Sequence, residues 1–132
     1  MLPETNDINH LPLYKKALQI IELTTMLTGT FDKQKDQLNI AGQMLSNAHL
    51  IPAKIAGAEA GDLYSLRIEN ALLIKIAARE LMSQTTLCKH LKLANVDYIQ
   101  LLREEVEQFR VLFLQWARGF DKQKDASDEW TI

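Results

Sequence analysis

Histidine and cysteine side chains are the first candidates for chemistry in this chain, which has three histidines and one cysteine. A helical di-iron site needs Glu-x-x-His pairs, but the residues three before His10, His49 and His90 are Asp, Ser and Leu. Cys88 and His90 are two apart on a predicted helix and point in different directions, which argues against a nucleophile pair. The sequence contains no zinc-protease motif, glycine-rich phosphate loop or nucleophile elbow. We therefore expect no enzyme, no catalytic residue, no metal and no cofactor.

Basic side chains are the remaining candidates for binding. Lys75 and Arg79 are four residues apart and share one face of the third predicted helix. Lys89 and Lys92 follow near the end of that helix, and Lys54 lies on the outer face of the second helix. A spread this thin is usual for a solvated face, but in a ring of identical chains it repeats around an axis and the potentials add. We predict that these five residues bind nucleic acid.

The charge is distributed unevenly along the chain, although its net value of −2 does not favour a strongly basic nucleic-acid binder. Residues 1–10 contain two acids, and residues 121–132 contain four acids against two lysines. Residues 11–120 contain the other 13 basic and 11 acidic residues, a net charge of +2. We expect a mildly basic domain at 12–120, preceded by a tail at 1–11 and followed by an acidic tail at 121–132.

Length and composition restrict the class of protein further. The 132 residues fit a single domain, and a single cysteine excludes an internal disulfide and suits a reducing compartment. The N-terminal residues do not form a secretory signal, and no apolar run approaches the ~20 residues that span a bilayer. We expect a soluble cytoplasmic protein with no membrane partner.

Hydrophobic periodicity predicts four helices that position these side chains. The first runs from Pro12 to Gly29, the second from about 37 to 60, and the third from 62 to 82 or on to 89. The fourth has Asn95 as its N-cap and ends at Gly119. Its apolar residues follow a heptad seam: Ile99, Leu102, Val106, Phe109, Phe113, Trp116 and Phe120. Short loops between long helices favour an all-α, up-down-up-down antiparallel four-helix bundle.

Pro52 falls on the apolar face of the second helix, within the stretch LIPAKIAGAEAG at 50–61. It has no N–H for the carbonyl of Ala48, and a proline inside a helix costs about 3 kcal/mol. We predict a kink here that bends the helix around the core.

The third helix is apolar on more sides than one core can cover. At about 100° per residue its main apolar residues share one arc: Leu63, Leu66, Leu73, Ile74, Ala77 and Leu81. Further apolar residues widen the arc to roughly 180°, where about 100° is enough for one core. Leu72 and Ile76 lie on the remaining side, so a second chain is expected to cover part of this helix. The predicted interface residues are Pro52, Tyr64, Arg67, Asn70, Ala71 and Ala78.

Two polar residues of that set, Arg67 and Asn70, lie inside the apolar arc. One interpretation is that they make a salt bridge and a hydrogen bond within the oligomer interface. The other is that they bind a partner protein or ligand. The hexapeptide FDKQKD occurs at 31–36 and again at 120–125, and we interpret it as chance or as convergent, solvated capping rather than a duplicated unit.

The segment Ile51-Pro52-Ala53-Lys54-Ile55-Ala56 resembles the Ile-Pro-Ala-x-Ile-Ala segment of a bacterial four-helix-bundle family. That family includes proteins encoded in the intervening sequences of large-subunit ribosomal RNA and the accessory variability determinant (Avd) proteins of diversity-generating retroelements. Asp62-Leu63-Tyr64, Ala71-Leu72-Leu73, Arg79 and Leu81 are more similar to the Avd branch. The stretch FRVLFLQWARG at 109–119 resembles the end of its last helix. The similarity covers roughly residues 12–120.

The resemblance implies a homopentameric barrel of four-helix protomers, in which small residues and a proline bend let the second helix lie close to its neighbours. For the Avd branch it implies a non-enzymatic accessory protein that binds a retroelement reverse transcriptase, its template RNA, or both. The nucleic-acid partner is then RNA or DNA. This chain departs from the pattern in being acidic overall. The alternative is a stand-alone oligomeric helical-bundle scaffold, with an unknown partner, that binds no nucleic acid.

Overall fold

The structure is a computed structural model that describes residues 7–125 and residue 129. Four helices account for most of this part of the chain: α1 (Pro12–Gly29), α2 (Ile40–Glu59), α3 (Tyr64–His90) and α4 (Val96–Arg118). Short 3-10 turns at Ile8–His10 and Lys122–Lys124 flank them. No strand is present in the described residues, so the all-α prediction is confirmed.

Each helix packs against its neighbour along the chain, and α4 packs against α1. α2 and α3 run in opposite directions. Asn47, in the first half of α2, donates a hydrogen bond to Gln84, near the end of α3, at 3.1 Å. At the other end of the pair, Gly57 lies against the side chain of Asn70. α2 and α3 share the most extensive contact of the neighbouring pairs, and α3 and α4 the least. This arrangement is compatible with a four-helix bundle.

The α4 prediction is confirmed almost residue for residue. Six of the seven residues of the predicted heptad stripe are buried, and the seventh, Trp116, is half-buried. The Asn95 side chain accepts a hydrogen bond from the Asp97 N–H at 2.7 Å, and Gly119 is the C-cap. The apolar stripe therefore had a unique phase, and its ends carried capping residues that stop a helix.

α2 begins at Ile40, three residues later than the predicted start near Gln37. Asn39 takes a left-handed backbone conformation, with φ of 54°, and its side chain caps the helix at Gly42. Asp36 accepts hydrogen bonds from two further N–H groups of the first turn. The helix then continues without interruption through Pro52, whose side chain is buried in the core. The kink at Pro52 stays a prediction.

The two FDKQKD copies form the same local structure. Phe31 and Phe120 are both buried, 8% and 6% exposed. The first aspartate of each copy accepts a hydrogen bond from the N–H two residues further on. The last aspartate accepts from the beginning of a helix, α2 for Asp36 and α3 for Asp125. The motif therefore acts as a cap, and its phenylalanine is a core anchor rather than a solvated residue.

α3 extends to His90 and buries one stripe in the core: Ala71, Ile74, Ala77, Leu81, Thr85 and Cys88. Leu66 and Leu73, which share the predicted apolar arc with Ile74, Ala77 and Leu81, are 51% and 42% exposed. Together with Leu72 and Ile76, 51% and 53% exposed, they form an apolar surface that we call the outer face of α3. α3 is thus apolar on two sides, as predicted, and the structure supplies the division between the sides that the sequence left open.

Candidate nucleic-acid interface

Three of the five predicted cations lie on one flank of α3, the flank that faces α4. Lys75 and Arg79 border a depression between the two helices, and Phe109 and Phe113 of α4 line it. Lys89 follows Lys75 by fourteen residues, close to four helical turns of 3.6 residues, and borders a second depression between the same helices. All three side chains are exposed. The period of the helix therefore places them in one row.

Arg103 of α4 adds a cation that the sequence alone did not indicate. Its guanidinium donates to the hydroxyl oxygens of Thr85 at 2.8 Å and Thr86 at 3.1 Å, and to the carbonyl of Met82 at 3.3 Å. These contacts hold a partly buried cation beside Lys89 without neutralising it. Among the described residues, no carboxylate lies within 4 Å of its guanidinium. Finding Arg103 required the register between α3 and α4.

Arg110 and Glu107 of α4 form an exposed ion pair on the same side of the bundle. The guanidinium donates to one carboxylate oxygen through Nε at 2.9 Å and Nη2 at 2.6 Å. This hydrogen bond holds the pKa of Glu107 below its usual value and raises the pKa of Arg110. Both groups are therefore charged at neutral pH, and each offsets the other.

We call the row between the two helices the α3/α4 seam. Its charged members are Lys75, Arg79, Lys89, Arg103, Arg110 and Glu107. The residues that border the two depressions include five cations and one carboxylate, a net charge of +4, in a chain whose overall charge is −2. Glu104 lies next to them and accepts a hydrogen bond from Gln100 of the second depression. The basic character is therefore local, and the acidic composition does not describe this surface.

The other two predicted cations do not belong to that row. Lys54 follows Asn47 by two helical turns, and Asn47 contacts Gln84 of α3. Lys54 is half-buried and therefore lies where α2 faces α3, on the flank of α3 away from the seam. Lys92 is exposed in the turn after α3, with φ of 55°. The predicted set of five is therefore divided within one chain.

The predicted interface residues are also divided. Pro52 and Ala71 are buried in the bundle's own core, so they offer no surface to a second chain. Tyr64 is half-buried, and Ala78 is half-buried at the seam. Asn70 donates to the carbonyl of Leu66 in its own helix. The sequence placed them together because the apolar arc was too wide to show which part faced the bundle.

Arg67 takes part in a cluster within the chain rather than on its outer face. Its Nη2 donates to Glu59 Oε1 at 2.8 Å, and its guanidinium carbon lies 4.2 Å from the ring centre of Phe120. The same carboxylate oxygen accepts a hydrogen bond from the indole N–H of Trp116 at 2.7 Å. The cluster joins the end of α2, the beginning of α3 and the end of α4.

Cys88 and His90 do not form a reactive pair. Cys88 is completely buried, whereas His90 is exposed. Burial, with a smaller effect from the negative charge of Asp36, raises the pKa of the Cys88 thiol to about 11. No group of three or more His, Cys, Asp or Glu side chains within residues 7–125 could hold a metal ion.

No protein-family model matches the chain, and no curated protein matches it either. The resemblance drawn from the sequence therefore stays a prediction. None of the helices between residues 7 and 125 has the length and apolar character needed to cross a membrane.

Proposed function

We propose that this protein is a non-enzymatic, homo-oligomeric accessory protein of a retroelement, which binds RNA along the α3/α4 seam and so acts with the reverse transcriptase. The net charge of +4 on the seam of an acidic chain carries the proposal. Phosphate groups bind where cations lack carboxylate partners. In the described part of the chain, Lys75, Arg79, Lys89 and Arg103 have no carboxylate within 4 Å.

A filter-binding titration with a structured RNA tests the seam directly. If each of these four cations neutralises one phosphate, the log–log salt slope is about −2.8 on single strands and about −3.6 on duplex segments, so affinity falls roughly 50- to 150-fold between 50 and 200 mM salt. The variant Lys75→Glu, Arg79→Glu should lose most of the binding.

The matched control changes two lysines away from the seam, Lys15→Glu and Lys33→Glu, with the same change in net charge. Both side chains are exposed, on α1 and in the loop after it. Equal binding by the two double variants, or no binding by the wild type at 50 mM salt, would contradict the RNA proposal.

Homo-oligomerisation, for which we propose a pentamer, is supported by the outer face of α3. Four large apolar side chains on one helix face are 42–53% exposed, and the exposed Glu69 and Glu80 share this face. Large apolar side chains clustered on an exposed face are typical of protein interfaces. The same face supports the second candidate function, a homo-oligomeric scaffold that binds no nucleic acid.

Sedimentation equilibrium tests the assembly. Leu73→Asp places a charge on the outer face of α3 and should dissociate the oligomer while circular dichroism keeps its helical signal, because Leu73 is 42% exposed in one chain. Leu18→Asp is the control, since Leu18 of α1 is 43% exposed but lies elsewhere. A wild-type mass of 15.1 kDa at micromolar concentration would rule out the oligomer. An oligomer without RNA binding would select the scaffold.

A further inference from the structure

The part of the α3/α4 seam that Lys75 and Arg79 border is a groove with an apolar floor and a cationic rim. It has a volume of about 550 Å³ and lies between residues 74–83 of α3 and 106–114 of α4. The accessible floor is formed by Ala78, Met82 and Leu114, which are half-buried. Ile74 and Phe109 also border the groove but are at most 1% exposed. The groove exists because α3 and α4 pack less extensively than the other neighbouring helices. A volume of this size is within the usual range for small-molecule sites, about 300–1,000 Å³.

The rim carries a net positive charge, which comes from its α3 side. Lys75 and Arg79 border it on α3 and Arg110 borders it on α4, against the single carboxylate of Glu107, a net charge of +2. Glu107 is already hydrogen-bonded to Arg110, which leaves Lys75 and Arg79 as the cations available to a ligand. A phosphate backbone satisfies the rim but leaves the apolar floor in contact with water. A molecule with an apolar chain and one anionic group satisfies both.

We infer that this groove binds an amphiphilic carboxylate, whose alkyl chain covers the floor and whose carboxylate is held by Lys75 and Arg79. The inference goes beyond RNA binding and does not depend on it, because the floor has no role in holding phosphates. It also leaves the outer face of α3 free, since none of the four apolar residues of that face lines the groove. The two ligands would compete for Lys75 and Arg79 only.

Fluorescence titration with a dansyl-labelled undecanoate tests the site. The probe should bind saturably, one molecule per chain, below its micelle concentration. Unlabelled dodecanoate should displace it, whereas dodecyltrimethylammonium, with a similar chain and opposite charge, should not. Failure of the probe to bind saturably, or equal displacement by the cation, would overturn the inference.

Two variants separate the floor from the rim. Ala78→Leu fills the floor and keeps every charge, and Arg79→Glu reverses one exposed rim charge; each should weaken the probe about tenfold or more. Lys15→Glu is the matched control for charge and should bind like the wild type. Arg79→Glu remains informative if Ala78→Leu loses its helical signal, because Arg79 is exposed. Unchanged probe binding by Arg79→Glu would overturn the inference.

The same variants distinguish this site from the RNA surface. Ala78→Leu should leave RNA binding intact, because it removes no cation. Lys89→Glu with Arg103→Gln should weaken RNA binding and leave the probe affinity unchanged, since both residues border the other depression. If the wild type fails to bind RNA, the fluorescence titration of the groove can therefore still succeed or fail on its own.

Discussion

Replacing Glu59 by alanine should destabilise the protein more than any other acid-to-alanine change we consider. One carboxylate oxygen accepts hydrogen bonds from Arg67 at 2.8 Å and from the Trp116 indole at 2.7 Å. It therefore joins three helices at one end of the bundle. Without it, the indole N–H of Trp116 and the guanidinium of Arg67 lose their acceptor. The Arg67 guanidinium stays packed on the ring of Phe120.

The magnitude follows from the exposure of these groups. A hydrogen bond to a charged acceptor contributes about 1.5–3 kcal/mol. The Arg67 and Glu59 side chains are 21% and 34% exposed, so solvent screens their ion pair, and we assign it no more than about 1 kcal/mol. The expected loss is about 2–4 kcal/mol in the free energy of unfolding, or roughly 10 °C in melting temperature.

Urea unfolding, followed by circular dichroism at a fixed protein concentration, measures this loss. Glu59→Gln keeps an acceptor for Trp116 but loses the charge, and should cost about half as much as Glu59→Ala. Glu22→Ala removes an exposed acid of α1 and should change stability by less than about 0.5 kcal/mol. If Glu59→Ala is also within that margin, the cluster does not stabilise the fold and the reasoning is refuted.

Three further predictions concern the thiol, the caps and the proline. Because the pKa of Cys88 is raised to about 11, it should react with a thiol reagent at pH 8 only after unfolding, and fast native labelling would contradict its burial. Folding favours the neutral thiol, so its contribution to stability should be lost as pH rises from about 8.5 towards the folded value. Asp36→Ala removes the acceptor of two backbone hydrogen bonds, at 2.7 and 3.0 Å, and should lower the free energy of unfolding by about 1–2 kcal/mol. Asp125→Ala removes the acceptor of one bond at 3.2 Å and should lower it by less than about 0.5 kcal/mol. Equal losses in urea unfolding would contradict this ranking. Pro52→Ala gains helix propensity but removes buried ring atoms worth about 0.8 kcal/mol per methylene, so calorimetry should show little gain or a loss; a clear rise in melting temperature with unchanged assembly would contradict it.

The sequence was sufficient where one pattern had one interpretation. α4 carries a single apolar stripe between an Asn cap and a Gly stop, so its phase and its ends followed from residue types. α3 has apolar residues on almost every side, and periodicity cannot choose which of them faces the bundle. The arc that contains Ile74 and Leu81, which are buried, therefore also contained Leu66 and Leu73, which are 51% and 42% exposed.

The candidate site was predictable only as far as one helix extends. The spacing of Lys75, Arg79 and Lys89 within α3 was visible in the sequence. Arg103 depends on how α4 lies against α3, and the separation of Lys54 depends on how α2 lies against α3. Register between helices is set by side-chain packing over many residues, which no local motif encodes.

The small residues near the end of α2 connect these features. A side-chain carbon at Gly57 would lie 2.9 Å from the Asn70 amide oxygen, so glycine permits the close approach of α2 to α3 within one chain. α3 contacts α2 more extensively than it contacts α4, and the groove lies between α3 and α4. The sequence resemblance implied that small residues allow contact between chains. The contact of Gly57 with Asn70 assigns this one to packing between α2 and α3 of the same chain. The α3/α4 seam, on which both proposed binding activities rest, lies on the other flank of α3.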